Sequence, residues 1–554
     1  MSLIDRIGFP AGLSGSVLLD GVPDGYEAFA ISAIARELAP EGPAVYVVRD
    51  GQRLPSIVEA LAFVAPELPT VELPGWDCLP YDRVSPGADA AARRLDAMGR
   101  LAALARKPHR AIVLTTANAL LQRMPPADII EAQTLSARPG NQVGLNALVE
   151  RLENSGFERV PAVRDVGEYA VRGGIVDLFV PGTDEALRLD FFGDTLESIR
   201  SFDVASQRTT GQRGELVLQP MSEVALTPES ISRFRRGYIE AFGAPSPEDA
   251  LYAAVSEGRR FAGMEHWLPL FYERLATLFD YLPGAPVVFD HLAREALSER
   301  SALVHDHYEA RAQQSQSRMK DAVPYKPLRP ELLYLSTEEV EQRVAEIAAL
   351  ELTPFDAPEA GGRKVFHAGA KKGRTFEQER SDPNANVFTA AAEHIGRLRT
   401  GQRKVLVAGW TDGSLDRLGS ILRDHGLEKL RRIGSLGEAE SLASGEAGLA
   451  VLPIESGFET DRLVVVAEQD LLGDRLVRRS RKRRRASDFI AEVSALATGD
   501  IVVHADHGIG RFVGLKTIEA AGAPHDCLEI RYAGDDRLFL PVENIELLSR
   551  YGSD

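Results

Sequence analysis

The sequence predicts a multidomain α/β protein that carries an inserted α+β domain and ends in a small β-barrel. Three observations predict it. Short apolar runs at 16–19, 44–48, 71–73 and 111–114 alternate with helical patterns such as 26–38 and 91–104, the signature of a parallel sheet covered by helices. That alternation gives way to strand patterns without helices at 175–192. Between 499 and 551, short strands are separated by glycine turns at Gly508, Gly514, Gly522 and Gly534, the spacing of a small twisted barrel. A chain of 554 residues is long enough for three to five such domains.

Composition narrows the function classes. The chain is 44% hydrophobic and 26% charged, as in ordinary globular proteins, and no apolar run approaches the roughly 20 residues that a membrane span needs. The start, MSLIDRIGFPAGLSG, lacks the basic, apolar and small-residue order of a secretion signal. Cys78 and Cys527 lie far apart and outside any metal-spaced cluster, which fits reduced thiols and a cytoplasmic location. With 64 basic and 81 acidic residues the formal charge is -17, so any contact with nucleic acid has to be local.

Residues 1–133 form the first α/β domain. Its first strand-to-helix turn, 20–27, stands where a phosphate loop would lie. Such a loop needs GxxxxGK[ST]: glycines that let backbone amides surround phosphates, a lysine for the β and γ phosphates, and a hydroxyl for magnesium. Here Asp24 and Glu27 add negative charge, and GK[ST] occurs nowhere in the chain. No ATP binding, no cofactor and no catalytic residue are expected. The proline-interrupted loop 73–82 places Trp76 and Tyr81 as packing residues. His266, His305 and His307 lack a spaced partner set, and His504, Asp506 and His507 are splayed by a strand and a glycine turn, so no metal site is expected.

The inserted domain, 134–220, contains a β-hairpin with strands at 175–180 and 187–192 around the turn 181–184. Leu187, Leu189 and Phe191 fall on one face of the second strand, and Arg188, Asp190 and Phe192 on the other. An aromatic beside charges is the composition of a protein-binding hot spot. The competing reading packs Phe192 under a loop and pairs Arg188 with Asp190 or Asp177.

The chain then returns to the first domain over 221–330. A further α/β domain follows at 335–473, with strands at 405–408, 449–452 and 463–467 and a helix at 414–425. Residues 474–497 are a linker and helix. They include RLVRRSRKRRR, eight basic residues that read either as a tether or as a nucleic-acid contact. The barrel occupies 498–554. From 499 onward it holds five basic and ten acidic residues, a balance suited to a protein edge rather than to a phosphate backbone.

Three stretches of the inserted domain, GEYAVRGGIVDLF, RLDFFGD and SIRSFDVASQR, resemble the repair module shared by the excision-repair protein UvrB and the transcription-repair coupling factors, with the latter the closer match. The segments FAGMEHW and GFETDRLVVVAEQDLLGDR continue the likeness. The resemblance implies that the first domain is a degenerate helicase-like domain, and that the inserted module docks onto UvrA through Arg172, Arg188 and Phe192. The terminal stretch, with IVVHADHGIGRFVGLKTI and CLEIRYAGDDRLFLPVENIELLSRY, resembles the CarD-like, Tudor-like domain of that family. In that family an exposed barrel strand pairs with the β subunit of RNA polymerase, which implicates Leu515, Lys516, Thr517, Ile518 and Glu519. Walker and helicase motifs are absent from the sequence, so the resemblance implies a recruitment half, with ATP, magnesium and most DNA contacts belonging to a motor outside this chain. Two other readings stand beside it: a UvrB-type ATP-dependent helicase and a stand-alone transcription regulator.

Overall fold

The protein is described by a computed structural model that covers residues 3–4, 6–181, 183, 185–247, 249–316, 325–358, 364–401, 403–473, 499–504, 508–520, 523–532, 536–541 and 548–550. It divides into two compact units, Met1–Gly473 and Asp474–Asp554. It is a mixed α/β chain with several sheets.

The first sheet has seven strands in the order Val365–His367, Gly15–Asp20, Ala348–Leu352, Val287–Phe289, Pro43–Val48, Ala111–Thr116 and Thr70–Leu73. Every pairing in it is parallel. A parallel sheet is covered on both faces, which is why its strands read as unbroken apolar runs; Val45 to Val48 and Ile112 to Leu114 are all buried. The domain boundary expected at 330–335 is corrected here. Ala348–Leu352 and Val365–His367 flank the N-terminal strand, so the first sheet runs on to residue 367. The prolines at 324, 327 and 330 look like a domain break, but the strand that fills the sheet lies beyond them.

A second, mixed sheet follows, in the order Lys371–Lys372, Phe458–Glu459, Leu463–Ala467, Lys404–Gly409, Ala447–Val451 and Leu430–Arg432. Its apolar face joins the first domain through the helices Glu27–Leu38 and Leu54–Val64. Phe29 and Leu61 share one continuous core with Leu406, Ala450 and Val465.

The inserted domain opens and closes with a two-strand stem, Leu135–Ala137 against Leu216–Leu218. Beyond the stem, six strands run in the order Thr209–Arg213, Thr195–Phe202, Ala186–Phe192, Ile175–Leu178, Glu168–Arg172 and Glu158–Arg159. Leu148 and Leu152 of the helix Leu145–Ser155 share one apolar core with this sheet. Just past the stem, buried Glu223 accepts from Trp76 Nε1 at 2.7 Å and from Arg94 Nε at 2.8 Å, tying the returning chain to the first domain. Trp76 and Tyr81 are buried in an aromatic cluster there, as packing residues are.

The C-terminal unit is a five-stranded antiparallel sheet in the order Arg537–Pro541, Ala523–Arg531, Gly508–Ala520, Ile501–His504 and Leu548–Arg550. The basic run, the expected helix at 487–497, and Asp506 and His507 lie outside the described residues.

Candidate functional site

The central hairpin of the inserted sheet separates its two faces cleanly. Leu187 and Leu189 are buried and Phe191 packs beside them in the main core. On the opposite face Phe192 is 77% exposed at the end of its strand. Among the described residues no loop covers it, so the first half of the competing sequence reading fails.

The second half of that reading holds. Arg188 Nε donates to Asp177 Oδ1 at 2.7 Å and Nη2 to Oδ2 at 2.9 Å across directly paired strands. The hydrogen bonds to Asp177 raise the guanidinium's pKa, so the charge is permanent. Its carbon sits 4.7 Å from the centroid of the Phe202 ring. Arg188 is therefore a braced arginine rather than a free one.

Arg172 lies on the same face. It ends the strand Glu168–Arg172 opposite Ile175, which in turn is opposite Asp190. The side chain is exposed, and Nη2 donates to the Pro161 carbonyl at 3.0 Å. The turn joining these strands needs Gly174, because a Cβ there would lie 2.8 Å from the Phe191 carbonyl oxygen.

Sequence reasoning passed over the next strand of this face. Arg200 stands opposite Arg188, and Ser198 opposite Asp190. Arg200 holds Asp190 with Nε at 3.0 Å and Nη2 at 2.9 Å. Two arginines thus lie side by side, each neutralised by its own aspartate. Period-two alternation in ESIRSF, the same signal used on RLDFF, points to Arg200.

The turn at 20–27 has a different geometry from a phosphate loop. Glu27 Oε2 accepts the Gly25 amide at 2.7 Å, so a carboxylate takes the donor that a phosphate would use. Arg53 binds Asp290 at 2.6 Å and also Glu27. Burial pushes the Glu27 carboxyl up to about 7, against the pull of Arg53. The cavity left is about 20 Å³, room for a single water, and Pro453, Ile454 and Glu455 close its far side. A Cβ on Gly25 would meet the Ser456 carbonyl at 2.3 Å.

In the C-terminal unit the strand Gly508–Ala520 pairs along Arg511 to Ala520 with Ala523–Arg531. On its other side Ile501–His504 covers only Gly508 to Arg511, and Asp500 takes the amide of Phe512. Among the described residues, the far edge of 514–520 has no ladder partner, and Leu515, Lys516, Thr517, Ile518 and Glu519 lie along it.

Residues 135–223 match the UvrB interaction domain family, and residues 496–552 match the CarD-like/TRCF RID domain family. Transcription-repair-coupling factors from Rickettsia bellii, Haemophilus influenzae and Escherichia coli are each 30% identical to the chain, over 92%, 97% and 94% of its length respectively. The chain matches the N-terminal, non-motor part of the transcription-repair-coupling factors. It spans 44%, 46% and 44% of the length of these three relatives. Within that likeness the inserted sheet, with Phe192 and its arginines, is the UvrB interaction domain, and the open-edged sheet is the CarD-like/TRCF RID domain. Among the described residues no helix is long and apolar enough to cross a membrane.

Proposed function

We propose that this chain is the recruitment half of a transcription-repair coupling factor. Its inserted domain docks UvrA, and its C-terminal domain grips RNA polymerase. The observation that carries this reading is Phe192, an exposed aromatic on the same sheet face as Arg188 and Arg172 within a UvrB interaction domain. An aromatic knob flanked by arginines is the usual make-up of a protein-binding hot spot. Arg172, Arg188 and Phe192 are the proposed UvrA contacts.

Polymerase is held by strand addition. The open edge of 514–520 offers backbone donors and acceptors to an extended strand of the polymerase β subunit, with Leu515 to Glu519 in register. The acidic balance of the domain favours a protein partner over DNA.

The chain itself works without nucleotide and without catalysis, as a cytoplasmic two-ended adapter. Glu27 in the phosphate position, with Arg53 locked onto it, supports this. ATP, magnesium and most DNA contacts are assigned to a motor outside this chain. The test is capture of purified UvrA and purified RNA polymerase by the immobilised chain, separately and together. Simultaneous capture of both is expected, and failure to capture either removes one end of the adapter.

A further inference from the structure

The two residues that define the UvrA face, Arg188 and Phe192, lie four positions apart on one strand, about 13 Å by strand rise. Asp190 is midway between them on the same face. Its carboxylate is bound by both Nε and Nη2 of Arg200, whose strand runs alongside. The Arg200 guanidinium therefore lies over the ground between Arg188 and Phe192. A surface that touches both has to cross it.

Exposure points the same way. The Arg188 side chain is 17% exposed and already engaged by Asp177, Phe202 and the Gln207 carbonyl. That of Arg200 is 34% exposed, and its Nη1 has no hydrogen-bond partner among the described residues. Arginine is suited to this position because one planar fork can hold Asp190 on one edge and offer its remaining donors to a second carboxylate. With Arg172 at the other side of Asp190, three arginines share the sheet face that carries the exposed Phe192.

We propose that Arg200 is a direct contact in the UvrA-docking face, that Asp190 is the positioning residue that aims it, and that the matching surface is an acidic rim around an apolar pocket. The inference rests on the docking of UvrA proposed above. It adds a residue that the family resemblance did not supply.

The experiment is a titration of purified UvrA against the intact chain, against Arg200→Ala, and against the exchange Asp190→Arg with Arg200→Asp. The exchange keeps an ion pair in the sheet but moves the positive charge. Arg200→Ala is expected to weaken binding about tenfold and to flatten its dependence on salt, and the exchanged protein is expected to lose at least as much. Thermal melting identifies any variant that fails to fold, and the exchange stands in for Arg200→Ala if that variant unfolds. Affinity within twofold of wild type in a folded variant of either kind overturns the role of Arg200. No binding by the wild-type chain overturns the docking reading itself, and the proposal with it.

Discussion

Arg188 and Asp177 form a two-bond ion pair across adjacent strands, with Asp177 only 2% exposed. Removing the arginine strands a buried carboxylate. Arg188→Ala is therefore expected to destabilise the inserted domain by about 2–3 kcal/mol, apart from any effect on a partner. Asp177→Asn in the same chain should recover much of that loss. Thermal melts of the two single variants and the double variant check this, and additive losses would show that the pair is not coupled.

Phe192 and Leu189 make the opposite comparison. Phe192→Ala removes an exposed ring, so melting should change by no more than about 0.5 kcal/mol, while UvrA affinity falls by about 2 kcal/mol, roughly thirtyfold. Leu189 is fully buried, and Leu189→Ala should cost about 2–4 kcal/mol of stability. Equal loss of UvrA binding in both variants, with both still folded, would mean that the two faces of the strand are assigned the wrong way round.

Glu27 makes two measurements available. No magnesium-dependent thermal shift with ATP is expected, because a carboxylate and Arg53 fill the place of the phosphates. The same group should also link stability to pH. Its folded pKa of about 7 lies above the usual carboxylate range, so the folded state holds the proton that the unfolded chain has released. The stability it contributes is present at low pH and is lost as pH rises through about 7. Glu27→Gln should remove that slope between about pH 5 and 7. Identical pH profiles for the two proteins would place the titration elsewhere.

At the other end of the chain, Ile518→Arg should abolish capture of RNA polymerase and leave UvrA binding unchanged. The residue lies on the open half of its strand, and its backbone pairs with His525. A charge added along a pairing edge opposes strand addition. Undiminished capture by a folded Ile518→Arg protein would move the pairing to another strand.

Much of this was legible in the sequence because it depends on local periodicity. Alternation in ALRLDFF placed Leu189 inside and Phe192 outside, and the structure agrees. Likewise, the apolar run expected as a strand at 463–467 is the strand Leu463–Ala467 to the residue. What stayed hidden depends on partners distant in sequence. The two aspartates named as possible partners of Arg188 could not be told apart until strand register placed Asp177 opposite it and gave Asp190 to Arg200. Similarly, nothing local in AALEL at 348–352 reveals that its neighbour is residues 15–19, nor does Arg53 announce that it will meet Glu27 and Asp290.

The sheet order also sets a timetable. Among the described residues, the strand Gly15–Asp20 has ladder partners only at Ala348–Leu352 and Val365–His367, about 330 positions or more downstream. At ordinary rates of synthesis that is a wait of roughly 15–65 seconds with Val17 and Leu19 unhoused. The inserted sheet needs nothing beyond residue 213 to pair all six of its strands. A chain emerging from the ribosome thus completes the strands that carry Phe192 while the first sheet is still open. The long interval makes the N-terminal strand, rather than the docking sheet, the place where aggregation threatens during synthesis.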